Sequence, residues 1–368
     1  MELKWKLAAS VSVLVLSFFI CGVGAGELFE GYYSESCPLA EEIVRHHVKA
    51  ELLRDPSMAA ALLRLQFHDC FVQGCDGSVM LDNTPILLSE KEAVPNKRSV
   101  RGFELIDRIK FSLEEACPQT VSCADTLVMI SRDSVHLVSS TPFFFSYNPA
   151  KTKPFTRPMA LSSKLLMRKI RNAEMAYQDS DGISDHVDRL YVIFFDDCYI
   201  FVVRTGAHTI GRSRCVSFRQ WIYEHSYDYP RYAVNDYVYR QILRSICPVS
   251  GGDDIRTSLD LRTAASFDNQ YFINLLSGKG LLASDRKLVS QDADDEIAYW
   301  VWAYAYDQQL FFRHFVESML RMTRVNPLTA SEGEIREYCR YTNSYFGQNA
   351  ELRQAVKARR VQEVNEEN

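Results

Sequence analysis

The chain has 368 residues, 47% hydrophobic and 12% aromatic, enough to bury one large core or two modest ones and too apolar for a disordered protein. A formal net charge of -5 gives no global basic field, so nucleic acid is excluded as an expected partner and charged chemistry must be local.

Taken in chain order, the first predicted element is a secretory signal peptide over residues 1–25. Lys4 and Lys6 precede an apolar run from Leu7, and Gly24, Ala25 and Gly26 close it. A retained membrane anchor is the competing reading, but the run is short for a span that needs roughly 20 apolar residues and no second one follows, so no membrane segment is expected after cleavage. Ten cysteines are present and Cys21 leaves with the signal. The others enter an oxidising compartment where disulfides are the default, and their number is odd. Cys198, remote from the rest, is the one expected to stand apart.

From Ala40 to Leu65 apolar residues recur at helical spacing (Ile43, Val44, Val48, Leu52, then Ala59, Leu62, Leu63), broken by Asp55-Pro56-Ser57. Two helices are predicted. If the second continues to His68, Arg64 and His68 lie one turn apart on one face. A permanent cation beside an imidazole suits proton transfer with stabilisation of developing negative charge, and the arginine biases the ring toward its neutral form. A surface coincidence is the bland reading of that pair.

Beyond it, Asp69, Val72, Gly74, Asp76 and Ser78 place oxygen donors through a tight Gly-containing loop, a pattern that can wrap a hard cation such as calcium, with Val72 and Gly74 giving backbone carbonyls. Cys70 and Cys75 would clip that loop shut. Zinc on the two thiols and a merely polar loop are the alternatives.

Residues 101–117, 123–138, much of 233–246, and the run DEIAYWVWAYAYDQQLFFRHFVESMLRM read as further helices, and strand-like alternation is scarce. The predicted class is mainly α. Residues 139–203 break the pattern with an aromatic cluster, a Pro- and Lys/Arg-rich segment and then LYVIFFDDCYIFVV, which has strand character and would be an aggregation hazard if exposed. Residues 343–368 are polar and read as a frayed helix or disordered tail.

RLQFHDCFVQGCDGSVMLD resembles the distal helix and calcium loop of the secreted plant haem peroxidases, the class III peroxidases. GYYSESCP, VRGFELID, EEACPQTVSCAD, GAHTIGRSRC, LDLRTAASFDNQYF, GLLASDRKL and GEIREYCR follow in that family's order. The resemblance covers roughly 27–138 and 204–342. It implies two helical halves sandwiching a haem, with a peroxidase domain over 26–342.

It further implies that His68 is the distal base that moves a peroxide proton and that Arg64 stabilises charge as the O–O bond breaks. Asn96 would hold the other nitrogen of His68, and Phe67 would wall the haem face. His208 would be the axial ligand of haem b iron, with Asp285 accepting its second N–H and making the imidazole more anionic. Two calcium ions are implied. The distal one would take Asp69, Val72, Gly74, Asp76 and Ser78, with Glu90 supporting through water; the proximal one would take Thr209, Asp260, Thr263, Ser266 and Asp268. The implied disulfides are Cys37–Cys117, Cys70–Cys75, Cys123–Cys339 and Cys215–Cys247. Peroxide would oxidise the haem by two electrons and small phenolic donors would restore it one electron at a time. A monomer in the cell wall or vacuole is the implied setting.

The chain departs from the family between Asp125 and Arg204. It lacks a Gly-Gly-Pro-x-Trp turn, a Gly-Arg-Arg-Asp stretch and a Leu-Pro-x-Pro, and Arg204-Thr205 stand where Leu-Ser is usual. In the family the aspartate matching Asp125 pairs with an arginine of the missing stretch, and removing one partner of a buried pair costs about 3–5 kcal/mol. Arg157 and Arg168 are the substitutes on offer. A translated intron or misjoined exon is one origin for 139–203. The alternative function is an inactive relative, a calcium- and disulfide-stabilised extracellular protein with a disrupted haem pocket. A metal hydrolase using His68 and Asp69 is a third reading.

Overall fold

The computed structural model describes residues 31–71, 74–139, 198–223, 236–291, 293–324, 327–328 and 333–367. The expected signal peptide, Val72, and residues 140–197 with Arg157 and Arg168 lie outside them.

The described residues are mainly helical. In chain order the helices are α1 (Tyr33–Ser36), α2 (Ala40–Arg54), α3 (Met58–Phe71), α4 (Phe103–Ala116), α5 (Cys123–Val138), α6 (Cys198–Thr205), α7 (Arg219–Tyr223), α8 (Asp236–Ile246), α9 (Gln270–Leu276), α10 (Ala283–Lys287), α11 (Asp295–Tyr306), α12 (Gln308–Thr323), α13 (Asn343–Gln348) and α14 (Ala350–Glu367). The tail, read as a frayed helix or a disordered segment, is helical through α13 and α14. Two short strands, β1 (Arg212–Arg214) and β2 (Arg256–Ser258), form an antiparallel ribbon with Arg212 opposite Ser258.

α2 buries Ala40, Val44, Val48 and Leu52, a stripe at four-residue spacing. It stops at Asp55, which is extended as a residue before proline prefers to be. α5 is buried nearly all round and is capped by Ser122, whose hydroxyl accepts the Asp125 N–H at 3.0 Å. Both α2 and α3 pack on α5, and α4 packs on α2. A second group of helices comprises α6 against α11 and α12, and α9 against α11. The two groups share one continuous core, which runs from Val44 and Leu62 through Ile130 to Phe272 and Phe311.

The run expected to have strand character is helical from Cys198 onward, a correction to the sequence reading. Tertiary burial overrides the β-propensity of Tyr-Ile-Phe-Val-Val, because a helix places Ile200, Val202 and Val203 into the core against α11 and α12. The departure at Arg204 is absorbed locally: its guanidinium donates to Ser318 Oγ at 2.6 Å and to the Ser318 carbonyl at 2.9 Å, tying α6 to α12. Disulfides pair Cys37 with Cys117, Cys70 with Cys75, Cys123 with Cys339 and Cys215 with Cys247. Asp125 accepts the Tyr33 hydroxyl at 2.5 Å, a partner the sequence reading did not name.

Candidate active site

α3 carries Arg64, Phe67 and His68 on successive positions of one face because its other side is occupied by Leu62, Leu63 and Leu65, all buried. His68 is buried, and its Nδ1 lies 2.5 Å from Asn96 Oδ1. The orientation of that amide is fixed, since Asn96 Nδ2 donates to the Glu90 carbonyl at 2.8 Å. Oδ1 must therefore accept from His68, so Nδ1 carries the proton and Nε2 the lone pair. Burial, and then the Arg64 charge, hold the His68 pKa down to about 3 against the opposing bond to Asn96. The ring is neutral at any physiological pH.

Arg64 Nε donates to His68 Nε2 at 3.0 Å. The rest of the guanidinium is fixed by the loop after Glu90: Nη2 donates to the Pro95 carbonyl at 2.9 Å and to Ser99 Oγ at 3.1 Å. Neither anchor was read from the sequence, although both sit in the segment that carries Asn96. Phe67 is half-buried and stacks on Phe71 at 5.0 Å between ring centroids.

On the other side, α6 runs into a 3-10 turn, Gly206–Thr209, that presents His208. His208 Nδ1 donates to Asp285 Oδ1 at 2.8 Å. Asp285 is buried at the start of α10 and also accepts the Tyr271 hydroxyl at 2.9 Å and the Leu282 N–H at 2.9 Å. Burial works to lower the His208 pKa, but the Asp285 charge and hydrogen bond outweigh it and raise it. Tyr271 was missed as a site residue, yet it lies inside the LDLRTAASFDNQYF motif that located its neighbours.

With Nδ1 committed to Asp285, Nε2 of His208 is the atom left to meet a ligand. Protein surrounds His208, yet 34% of its side chain is accessible, and the Arg64 charge is felt at its ring. That effect places Arg64, on one helix group, near His208, on the other, and the space between them is the candidate cleft. An imidazole nitrogen held by a carboxylate, opposite a neutral histidine and an arginine, fits a haem iron at that cleft.

Gly206 permits the turn. A Cβ there would lie 2.8 Å from Phe311 Cζ and 2.9 Å from Phe272 Cζ, inside van der Waals contact. Gly206→Ala is therefore expected to destabilise the chain by about 1–3 kcal/mol through overpacking. An unchanged urea midpoint would show that the two rings give way freely.

The two oxygen-rich loops lie beside these histidines. Asp69, Asp76, Ser78 and Glu90 are all buried. Asp69 accepts the Gly77 N–H at 2.9 Å, Asp76 accepts that of Ser78 at 2.9 Å, and the Ser78 hydroxyl donates to Glu90 at 2.5 Å. Gly74 is in the same loop, while Val72 is outside the described residues. Buried Arg336 closes the loop from the C-terminal side, donating to the Gly77 carbonyl at 2.7 Å and to that of Cys339 at 2.9 Å. It too was not singled out from the sequence.

In the second loop the Thr209 hydroxyl donates to Asp268 Oδ1 at 3.1 Å, and the Thr263 hydroxyl lies 3.1 Å from both Asp268 Oδ1 and Asp260 Oδ2, sharing its single proton between them. The Ser266 N–H closes on the Thr263 carbonyl at 2.9 Å. The β1–β2 ribbon brings Asp260 to the turn that bears Thr209. Burial raises the Asp268 pKa against hydrogen bonds from Gln270, Thr263 and Thr209, with the Asp260 charge adding least, and a divalent cation there would favour the ionised carboxylate. Among the described residues no three His, Cys, Asp or Glu side chains form a metal cage. The first set instead offers Asp69, Asp76 and Glu90, and the second Asp260 and Asp268, each with hydroxyl and carbonyl oxygens, a combination that suits calcium and not zinc. The hydrolase reading lacks a ligand set: Asp69 turns to the amides of its own loop, and among the described residues no three His, Cys, Asp or Glu side chains gather round a metal beside His68.

A family model described as peroxidase matches residues 44–307. Peroxidase 20 of Arabidopsis thaliana is 44% identical over 352 residues, which cover 93% of this chain and 100% of that protein. Peroxidase 49 of the same plant is 42% identical, covering 92% of this chain and 100% of its own length. Peroxidase 14 is 43% identical, with 86% and 90% covered.

Proposed function

The chain belongs to the plant class III haem peroxidases and is an enzyme acting on hydrogen peroxide, and from that premise we propose that His68, Arg64 and Asn96 perform the proton chemistry, opposite a haem b held by His208. The fold is the mainly helical one expected of the family, which implies haem and typically calcium. The observation that carries the reading is the fixed tautomer of His68, a neutral base whose lone pair points at Arg64 and the cleft.

Peroxide entering the cleft takes over the hydrogen bond that Arg64 Nε makes to His68 Nε2. His68 Nε2 then accepts a proton from one peroxide oxygen, and Asn96 Oδ1 steadies the imidazolium through Nδ1–H. Arg64, anchored on Pro95 and Ser99, stabilises the negative charge on the departing oxygen. His68 returns the proton to that oxygen and water leaves. His208 would hold the haem, whose iron would supply the two-electron redox chemistry and accept electrons from one-electron donors. Asp285 keeps the His208 ring electron-rich, and Tyr271 and the Leu282 amide hold Asp285 in place. Phe67 walls the cleft. The inactive alternative finds no support in this geometry.

Small phenolic donors are proposed because they lose one electron and one proton readily and fit a cleft edge. The proposal includes a signal peptide over 1–25, a domain over 26–342, a polar tail over 343–368, and a monomer secreted to the cell wall or vacuole. Class III relatives are typically secreted, and among the described residues no helix is long and apolar enough to cross a membrane. The test is the Soret spectrum of the full chain produced with haem and calcium, before and after equimolar peroxide. A spectral change reversed by a phenol is expected; absence of bound haem, or bleaching alone, overturns the reading.

The calcium assignments to Asp69, Val72, Gly74, Asp76, Ser78 and Glu90, and to Thr209, Asp260, Thr263, Ser266 and Asp268, make a separate prediction. A site saturated to a hundred times its dissociation constant stabilises the native state by about 2.7 kcal/mol. Chelation with EGTA is expected to lower the thermal midpoint, with recovery on calcium and not on magnesium. A midpoint indifferent to EGTA removes both assignments.

A further inference from the structure

α11 carries an aromatic run, Tyr299-Trp300-Val301-Trp302-Ala303-Tyr304-Ala305-Tyr306, that takes no part in the site described above. Its inner face continues the proximal side of the cleft as a series of touching rings. The His208 ring meets Tyr271 at 5.9 Å between centroids, Tyr271 meets Phe272 at 5.0 Å, and Phe272 meets Tyr304 at 5.2 Å. Tyr304 stacks on Trp300 at 5.6 Å with planes 26° apart, and Trp300 meets Tyr299 edge-on at 5.1 Å. Tyr299 is 56% exposed. Trp302 and Tyr306, 51% and 76% exposed, stack on each other at 4.5 Å and share its face by their spacing along the helix. All these separations fall in the range of directly contacting aromatic pairs.

We propose that the outer face of α11, formed by Tyr299, Trp302 and Tyr306, is a second oxidation site that draws electrons from phenol groups carried on polymers too large for the cleft, and relays them inward through Trp300 and Tyr304. The inference rests on the peroxidase reading above, which supplies the oxidising equivalents.

The relay residues are suited to reversible one-electron oxidation. Tyrosine loses an electron readily only if its hydroxyl proton has somewhere to go. The Tyr304 hydroxyl lies 3.0 Å from His314 Nδ1, and burial lowers the His314 pKa, so a neutral ring is there to accept. Burial, and then the Tyr199 and Glu317 charges, raise the Tyr304 pKa, so the hydroxyl keeps its proton until the electron leaves and gives it up in the same event. Trp300 behaves differently: its Nε1 is buried and has no hydrogen-bond partner among the described residues, so the oxidised indole keeps its proton and is restored by an electron alone. Phe272 is not itself oxidised and serves as the bridge between Tyr271 and Tyr304.

The balance is simple. One electron leaves Tyr304 for the cleft while its proton moves to His314; Trp300 and then Tyr299 refill it, the proton returns, and Tyr299 releases its own proton to water. The polymer phenol gives one electron and one proton to Tyr299 and becomes a phenoxyl group. Two such events match one peroxide reduced to two waters.

The test uses the full chain loaded with haem and calcium. Peroxide is added with a nitroso spin trap, and the trapped residues are mapped by peptide mass spectrometry. Oxidation of a phenol-grafted dextran and of a small phenol is followed in parallel. Adducts are expected on Tyr299, Trp302 or Tyr306. The surface variant Tyr299→Phe with Trp302→Phe and Tyr306→Phe, which replaces only exposed side chains, should lose the adducts and the dextran oxidation while keeping the small-phenol rate. Trp300→Phe with Tyr304→Phe should lose the same two signals. Adducts found only elsewhere, or dextran oxidation retained by the surface variant, overturn the proposal. Failure of the small phenol in the unsubstituted chain instead sinks the peroxidase reading, and this inference with it.

Discussion

Replacing His68 with leucine is expected to slow the reaction with peroxide by about 10²- to 10⁴-fold, the range supplied by a positioned general base. Leucine matches the ring in bulk, so the α3 packing survives, but nothing then accepts the peroxide proton and Arg64 Nε loses its acceptor. Rapid mixing with peroxide measures the effect at the Soret band, and far-ultraviolet circular dichroism reports whether the helices persist. A rate within threefold of the parent would remove His68 from the mechanism.

The pH dependence follows from the same residue. With a pKa near 3, His68 remains a competent base as pH falls until about that value, so its protonation limits the rate only in strong acid. Its effect on stability has the opposite reach. The unfolded chain takes up the proton near the ordinary value of 6.5 while the folded chain resists to about 3, so stability falls as pH drops through that window. Each unit of difference corresponds to about 1.4 kcal/mol. The His68→Leu variant should therefore lose less stability on acidification than the parent, which denaturant midpoints between neutral pH and pH 4 will show.

Much of this site was legible because its groups are packed into short stretches. Arg64 and His68 are one helical turn apart, and the acidic loop follows at once, so local spacing placed a base, a cation and metal donors together. Tyr33 was not legible as a partner of Asp125, nor Ser99 as an anchor of Arg64, because each contact joins residues far apart in sequence through ordinary hydroxyls. Arg336 was hidden for the same reason; its guanidinium reaches the Gly77 carbonyl across most of the chain. The error at Cys198–Thr205 has a different origin. A short run of β-branched and aromatic residues does not distinguish a buried strand from a buried helix, and only the facing surfaces of α11 and α12 decide it.

That long-range closure sets the second large expectation. Cys123 begins α5, and Cys339 lies 216 residues later, just beyond Arg336. Loop-closure entropy for a ring of that length amounts to about 5 kcal/mol, at the upper end of the usual effect of losing a native bridge. The Cys123→Ala and Cys339→Ala pair is expected to lose about that much in guanidinium unfolding, a large part of a typical stability of about 5–15 kcal/mol. The loss is not entropic alone. Freed of the bridge, the 336–339 segment no longer holds the Arg336 guanidinium on Gly77, and the loop bearing Asp69, Asp76 and Ser78 loses its C-terminal clamp. The variant should then bind calcium more weakly, while a Cys37→Ala and Cys117→Ala pair, whose bridge contacts neither loop in this way, should lose comparable stability and keep its calcium affinity. Equal calcium affinity in the two variants would mean that the loop holds its shape without the clamp, and that Cys123–Cys339 acts on the unfolded chain only.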